Sequence, residues 1–291
     1  KNGLPGMAQG SGVTDLIVDT HAHIYSADEE EYPMIAKPYR PPAGTGGIDH
    51  LRRERETHDL HRVVLVQMGS AYKWDNRLMA DVARNNADWT TGVCNLNPLD
   101  ADSPDRFERM SREDNVRALR LEVAPDGRYD HEGARALLTR AHDMGGVICA
   151  HLNARSLAEL DSLLETSPSV PVVLDHCAYP DGSEGPDSDT VRAVVALARH
   201  ANLHVKLTFL VTGSSQGDPF DDTKAIAMRF MDAYGPDRCM WGSGFPCELW
   251  MKGAADYGRH LAVVGDELGL SSSDRAHVIG ATAMRVFFQD R

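Results

Sequence analysis

Eight short apolar runs, each followed by a stretch with helical spacing, constrain this chain more than any other feature. The first is Leu16-Ile17-Val18, and the others fall at 63–67, 91–96, 118–123, 147–152, 170–176, 203–208 and 239–243. Helical patterns occupy 49–60, 76–86, 103–113, 130–144, 156–165, 188–200, 221–234, 254–268 and 273–288. Near-continuous apolar strands alternating with amphipathic helices predict a parallel sheet covered by helices. Eight such units in about 280 residues predict a closed (β/α)8 TIM barrel. An open doubly wound sheet is the alternative, but no Gly-x-Gly-x-x-Gly follows the first strand, which removes its usual nucleotide-binding form.

No composition break or linker divides the chain, so residues 13–291 read as a single domain. Lys1-Asn2-Gly3-Leu4-Pro5-Gly6 ahead of Met7 lacks the apolar core of a signal peptide. Residues 1–12 are therefore read as an expression remnant and flexible N-terminus. No apolar run is long enough to span a bilayer. A formal charge of −13 argues against a nucleic-acid or membrane-surface partner. The five cysteines are odd in number and mostly lie inside apolar runs. That pattern suits reduced thiols in a cytoplasmic protein. A small-molecule substrate is the expected partner, and a homo-oligomer is compatible with the fold.

In such a barrel the chemistry sits at the C-terminal strand ends. The first strand ends in Asp19-Thr20-His21-Ala22-His23, whose two imidazoles would share one face. Alone the pair says little, because 13 histidines in this length give roughly 0.6 such pairs by chance. Further strand ends carry Gln67, Asn95, Asn97, Arg120, Glu122, His151, Asp175-His176, Lys206 and Thr208. Four histidines at three strand ends, aimed at one mouth, predict a functional centre. His21, His23 and His151 either hold a divalent ion, Zn2+ being the best match, or donate hydrogen bonds to a substrate carbonyl. His176 is a candidate general acid or base. Asp175 is assigned to structure, since a continuing strand would turn it away from its neighbour. Arg120 and Lys206 are candidate anion binders, with a salt bridge to Glu122 as the plainer reading.

Asp-Thr-His-Ala-His at 19–23, His151, Asp175-His176, Val205-Lys206-Leu207 and Met240-Trp241-Gly242-Ser243-x-Phe245-Pro246 resemble the amidohydrolase superfamily, in the correct strand order. They look most like its amidohydrolase-related branch, which includes 2-pyrone-4,6-dicarboxylate lactonase and metal-dependent decarboxylases. Tyr39 within Tyr39-Arg40-Pro41-Pro42, Arg77 after strand two, and Trp250 at the end of 245–250 are similar to the lactonase-like members. These three join Arg120 and Lys206 as expected substrate contacts. The resemblance implies hydrolysis of a lactone or related acyl bond in a small carboxylated or aromatic compound, without a redox cofactor. A zinc-dependent non-oxidative decarboxylase and a catalytically silent ligand-binding barrel are the alternatives.

One position departs from the pattern. The family motif on strand eight reads Gly-Ser-Asp-Phe/Trp-Pro, with the Asp as metal ligand, general base or both. This chain has Gly244 there. Loss of a general base costs on the order of 10²–10⁴ in rate. Either the residue was changed to trap a ligand, or another base serves, or the chain no longer hydrolyses and instead binds a ligand or runs chemistry that needs no activated water. His176, Glu248 and Glu122 are the candidate replacements. Cys247 lies beside the gap but reads as an inert buried thiol. Tyr72, Trp74, Trp241 and Trp250 are candidates for an apolar wall, and the loops at 182–186 and 213–219 for lids.

Overall fold

A computed structural model describes residues 16–289; the reading of residues 1–12 lies outside the described residues. Eight parallel strands run in sequence order: β1 (Ile17–Ala22), β2 (Leu60–Val66), β3 (Thr90–Asn95), β4 (Val116–Glu122), β5 (Val147–His151), β6 (Val172–Leu174), β7 (Leu203–Lys206) and β8 (Cys239–Met240). Helices alternate with them, so the fold is the expected (β/α)8 barrel. Most predicted elements fall within a few residues of those observed. Strands six and eight are shorter than their apolar runs, because the chain leaves the sheet to build the barrel mouth.

Backbone contacts beyond β8 close the barrel. Ala22 bridges Phe245, the His23 amide donates to the Phe245 carbonyl at 2.9 Å, and the Gly244 amide donates to the His21 carbonyl at 2.8 Å. Asp19 locks this seam. Its buried carboxylate accepts from the Ser243 amide (2.9 Å), the Ser243 hydroxyl (2.6 Å) and the Tyr257 hydroxyl (2.7 Å). The segment after β8 is thereby held against the histidine-bearing end of β1.

Inward side chains fill the barrel with Val64, Val66, Val93, Ala118, Val147, Cys149, Val173 and Met240, above Phe287 from the last helix. Above this apolar layer the same inward positions become polar, at Asn95, Arg120, Glu122, His151 and Lys206. The two-residue strand period makes this continuation obligatory. Leu137, Leu138 and Ala141, at helical spacing on Glu132–Met144, are buried against the outside of the sheet. Among the described residues no helix is long and apolar enough to cross a membrane.

Candidate active site

A cavity of about 880 Å3 opens at the C-terminal strand ends. His21, His23, Arg120, Glu122, His151, His176, Thr208, Gly244, Tyr39 and Trp250 line it, so eight of the ten expected site residues, all but Arg77 and Lys206, converge there. The His21 ring centroid lies 4.8 Å from that of His23 and 4.6 Å from that of His176, and His151 lies 6.0 Å from His176.

Two residues fall elsewhere. Arg77 is mostly exposed and paired with Asp75 at 2.6 Å, in a surface recess away from the mouth. Its position after a turn following β2 carries it outward, so it is not a cavity residue. Lys206 is fully buried beneath the floor, with its ammonium 3.0 Å from Asp175. Arg120 reaches the floor, but its Nε donates to the same carboxylate at 2.9 Å. The salt-bridge partner is therefore Asp175, not Glu122.

Asp175 lies beneath the site and faces Arg120 and Lys206, which corrects the expectation that it points away, while its role there is to hold those two cations. It keeps the inward parity of Val173, and burial pushes its carboxyl up, but Lys206 and Arg120 outweigh this and hold it well below the usual range. His176 also faces inward because the chain turns at that point. His176, Cys177, Ala178 and Tyr179 all have positive φ, between 49° and 60°. Left-handed backbone costs roughly 1–2 kcal/mol per non-glycine residue, so tertiary contacts must hold this turn. The Cys177 thiol donates to the Lys206 carbonyl at 3.2 Å, and His176 Nδ1 lies 2.5 Å from the Thr208 hydroxyl. Tyr179, which sequence reasoning missed, is brought over His151 by this turn. Only the positive φ values, invisible in the sequence, place it there.

Hydrogen bonds assign the imidazole protons. The His23 Nδ1–H donates to the Val66 carbonyl at 2.8 Å, which leaves Nε2 as an acceptor. Lys206 can only donate, so its ammonium, 3.4 Å from His21 Nδ1, leaves the His21 proton on Nε2. That Nε2–H is buried and has no partner. His151 Nδ1–H points at Glu122 Oε1 at 3.3 Å, and its Nε2 accepts from the Tyr179 hydroxyl at 2.5 Å. The Arg120 guanidinium donates toward His176 Nε2 at 3.5 Å.

Burial, reinforced by Lys206 at His21 and by Arg120 at His23, pushes both imidazoles down, His23 to about 3. Burial also lowers His151 and His176. All four are neutral near pH 7. Burial would raise Glu122, but its bond to His151 and the Arg120 charge bring it down to about 2.

Among the described residues no group of three or more His, Cys, Asp or Glu side chains is arranged to hold a metal ion. A lysine ammonium stands beside His21, and the His151 Nδ1 is held by Glu122. Gly244 has φ +66°, and a Cβ there would meet nothing within 4 Å.

The other expectations divide. Trp250 lines the cavity, its ring 5.2 Å from Tyr39 and 6.1 Å from His23. Tyr72 and Trp241 are core residues and Trp74 borders the Arg77 recess, so they form no wall. Glu248 is bound to His50 at 3.5 Å and does not reach the cavity. Cys247 is buried, and burial raises its thiol. The loop at 182–186 is tied to the one at 213–219, with the Gly182 amide donating to the Gly213 carbonyl at 2.8 Å. Asp222 accepts from both Ser214 and Ser215, and Gly213, Ser214 and Ser215 line the cavity, whereas 182–186 does not.

Residues 18–289 match the model of the amidohydrolase family. L-fucono-1,5-lactonase from Burkholderia ambifaria is 25% identical over 290 residues, covering 94% of this chain and 96% of that protein. D-galactarolactone isomerase from Agrobacterium fabrum is 25% identical over 248 residues, covering 84% and 80%. The crystal structure of a probable 2-pyrone-4,6-dicarboxylic acid hydrolase from Acinetobacter baumannii, with citric acid bound, superposes with a TM-score of 0.80 at 14% identity, covering 93% and 98%. A zinc-bound amidohydrolase from Burkholderia multivorans superposes at 0.74 with 23% identity, covering 94% and 100%. A match over nearly the whole described length, joined to the barrel and its histidine-lined mouth, makes this chain a hydrolase that belongs to the amidohydrolase family.

Proposed function

We propose that this protein opens the ring of a small lactone by hydrolysis, with His21 as the group that polarises the carbonyl. The observation that carries the reading is the His21 Nε2–H, a buried donor without a partner in a residue lining the cavity. Burial without a partner is costly unless a ligand supplies the acceptor. A lactone carbonyl does so, and the same donor stabilises the oxyanion that forms on attack. Trp250 and Tyr39 supply an apolar face for the ring, and the names of the curated relatives point to the same bond.

The lining favours a neutral, hydroxyl-bearing lactone over a dianion. Among the described residues Arg120 is the one lysine or arginine side chain lining it, and it is already paired with Asp175, while Glu122 and Asp181 add negative charge. Ser70, Thr212, Ser214 and Ser215 offer hydroxyl partners around the wall. The donor set does not suit a divalent ion, so the reading routes no step through one. His21, His23 and His151 act as imidazoles, and no redox cofactor is involved.

A second reading is favoured by Gly244 and by the isomerase relative: a hydroxyl of the lactone itself attacks the carbonyl, and the ring migrates without water. One experiment separates the two. A panel of 1,4- and 1,5-aldonolactones and 2-pyrone-4,6-dicarboxylate is incubated with the enzyme, and products are identified by NMR. Open hydroxy acids support hydrolysis, and an isomeric lactone supports migration. Turnover of the dicarboxylate alone would refute the charge argument.

A further inference from the structure

Glu122 and His151 face each other across the β4–β5 ladder, as paired residues at the last inward position of each strand. The Glu122 carboxylate accepts from His151 Nδ1, which fixes the tautomer and aims the Nε2 lone pair into the cavity. There the lone pair meets the Tyr179 hydroxyl at 2.5 Å. Tyr179 is 51% exposed, and both it and His151 line the cavity.

We propose that the Glu122–His151 pair is the general base of this active site, supplying from strands four and five what a carboxylate at position 244 would supply from strand eight. The proposal rests on the ring-opening reading above. The other imidazoles are less suited. His21 Nε2 carries a proton, and His176 Nε2 faces the Arg120 guanidinium. His23 has a free lone pair but no carboxylate bonded to its ring, since its Nδ1–H is held by a neutral carbonyl. Of the four, His151 alone combines a lone pair in the cavity with a carboxylate hydrogen-bonded at the opposite nitrogen. That carboxylate stabilises the imidazolium that forms when a proton is taken, as in hydrolytic triads.

The step balances with water as the sole co-reactant. Water displaces the Tyr179 hydroxyl from Nε2. As the water oxygen bonds to the carbonyl carbon, its proton passes to His151 Nε2, and the carbonyl electron pair moves onto oxygen at the His21 donor. When that pair returns, the ring C–O bond breaks. The imidazolium then gives its proton to the departing ring oxygen, leaving a hydroxy acid. Glu122 touches neither substrate nor water and is a positioning residue.

The test compares two nucleophiles on an aldonolactone that the wild-type enzyme turns over. Water must be deprotonated to attack, whereas hydroxylamine attacks without a strong base and gives a hydroxamate. His151→Gln is expected to lower kcat for hydrolysis by about 10²–10⁴, with KM within about threefold and hydroxamate formation reduced less than about tenfold. Glu122→Gln, whose amide oxygen still accepts from Nδ1–H, is expected to lose less than Glu122→Ala, again mainly for water. It carries the comparison if His151→Gln fails to fold, as judged by thermal melting. His21→Ala, which removes the carbonyl donor, is expected to slow both nucleophiles alike. Equal losses for both nucleophiles in His151→Gln and Glu122→Gln would overturn the base while leaving ring opening intact. A wild-type enzyme that opens no lactone would instead overturn the reading, and the base with it.

Discussion

Asp175 and Arg120 form a buried ion pair, with Nε donating to Oδ2 at 2.9 Å, and the second oxygen of the same carboxylate lies 3.0 Å from the Lys206 ammonium. One carboxylate thus holds two cations beneath the histidines. Removing its charge leaves both buried and uncompensated, a change worth about 3–5 kcal/mol. Asp175→Asn is expected to lower stability by that amount in urea titration, and activity with it. A loss below about 1 kcal/mol would show that the cations find other partners.

Acid should weaken the fold early. His23 is held down to about 3, and His21, His151 and His176 are also lowered by burial. A histidine lowered in the folded state contributes stability that is complete above its unfolded value near 6.5 and is lost as pH falls from there toward the folded value. Glu122, held at about 2, adds a second loss below the unfolded carboxylate value near 4. Tm is therefore expected to fall progressively below pH 6.5, steepening below pH 4.5. A Tm flat from pH 7.5 to 5 would contradict the neutral buried histidines.

Gly244→Asp places a carboxylate in open space, at a φ of +66° that Asp tolerates better than most residues. If the base stands at His151, the single variant should change kcat less than about tenfold. In a His151→Gln background the same change should restore hydrolysis by tenfold or more. A gain above 10² in the wild-type background would instead mark this chain as lacking a base.

Trp250 and Arg77 offer a contrast between cavity and surface. Trp250→Ala removes the face opposite Tyr39 and is expected to raise KM about tenfold with kcat little changed. Arg77→Ala breaks an exposed pair with Asp75 and should leave kcat/KM within about twofold. Steady-state kinetics on a turned-over lactone reads both.

Metal dependence is typical of the family, and a zinc-bound relative shares this fold. Here the lysine ammonium beside His21, and the lack among the described residues of three suitably arranged ligands, disfavour a dication. Dialysis against a chelator is expected to leave kcat/KM within about twofold, with elemental analysis finding well under one equivalent of zinc per chain. A stoichiometric metal whose removal abolishes turnover would reverse this.

The barrel and the ring of histidines were legible in the amino-acid order, because apolar runs and strand-end positions are local properties that a two-residue period carries directly. His21, His23, His151 and His176 needed only their place at the ends of β1, β5 and β6 to be grouped. What the tertiary structure decided was partnership. The sequence pattern carried strand six through 176 and turned Asp175 away from His176, whereas β6 ends at Leu174, and Tyr179 reaches His151 only through four consecutive left-handed residues. Lys206 read as a substrate contact until burial paired it with Asp175. Charge neutralisation and proton position depend on neighbours brought from distant strands, so the four histidines could be named in advance, whereas their partners could not.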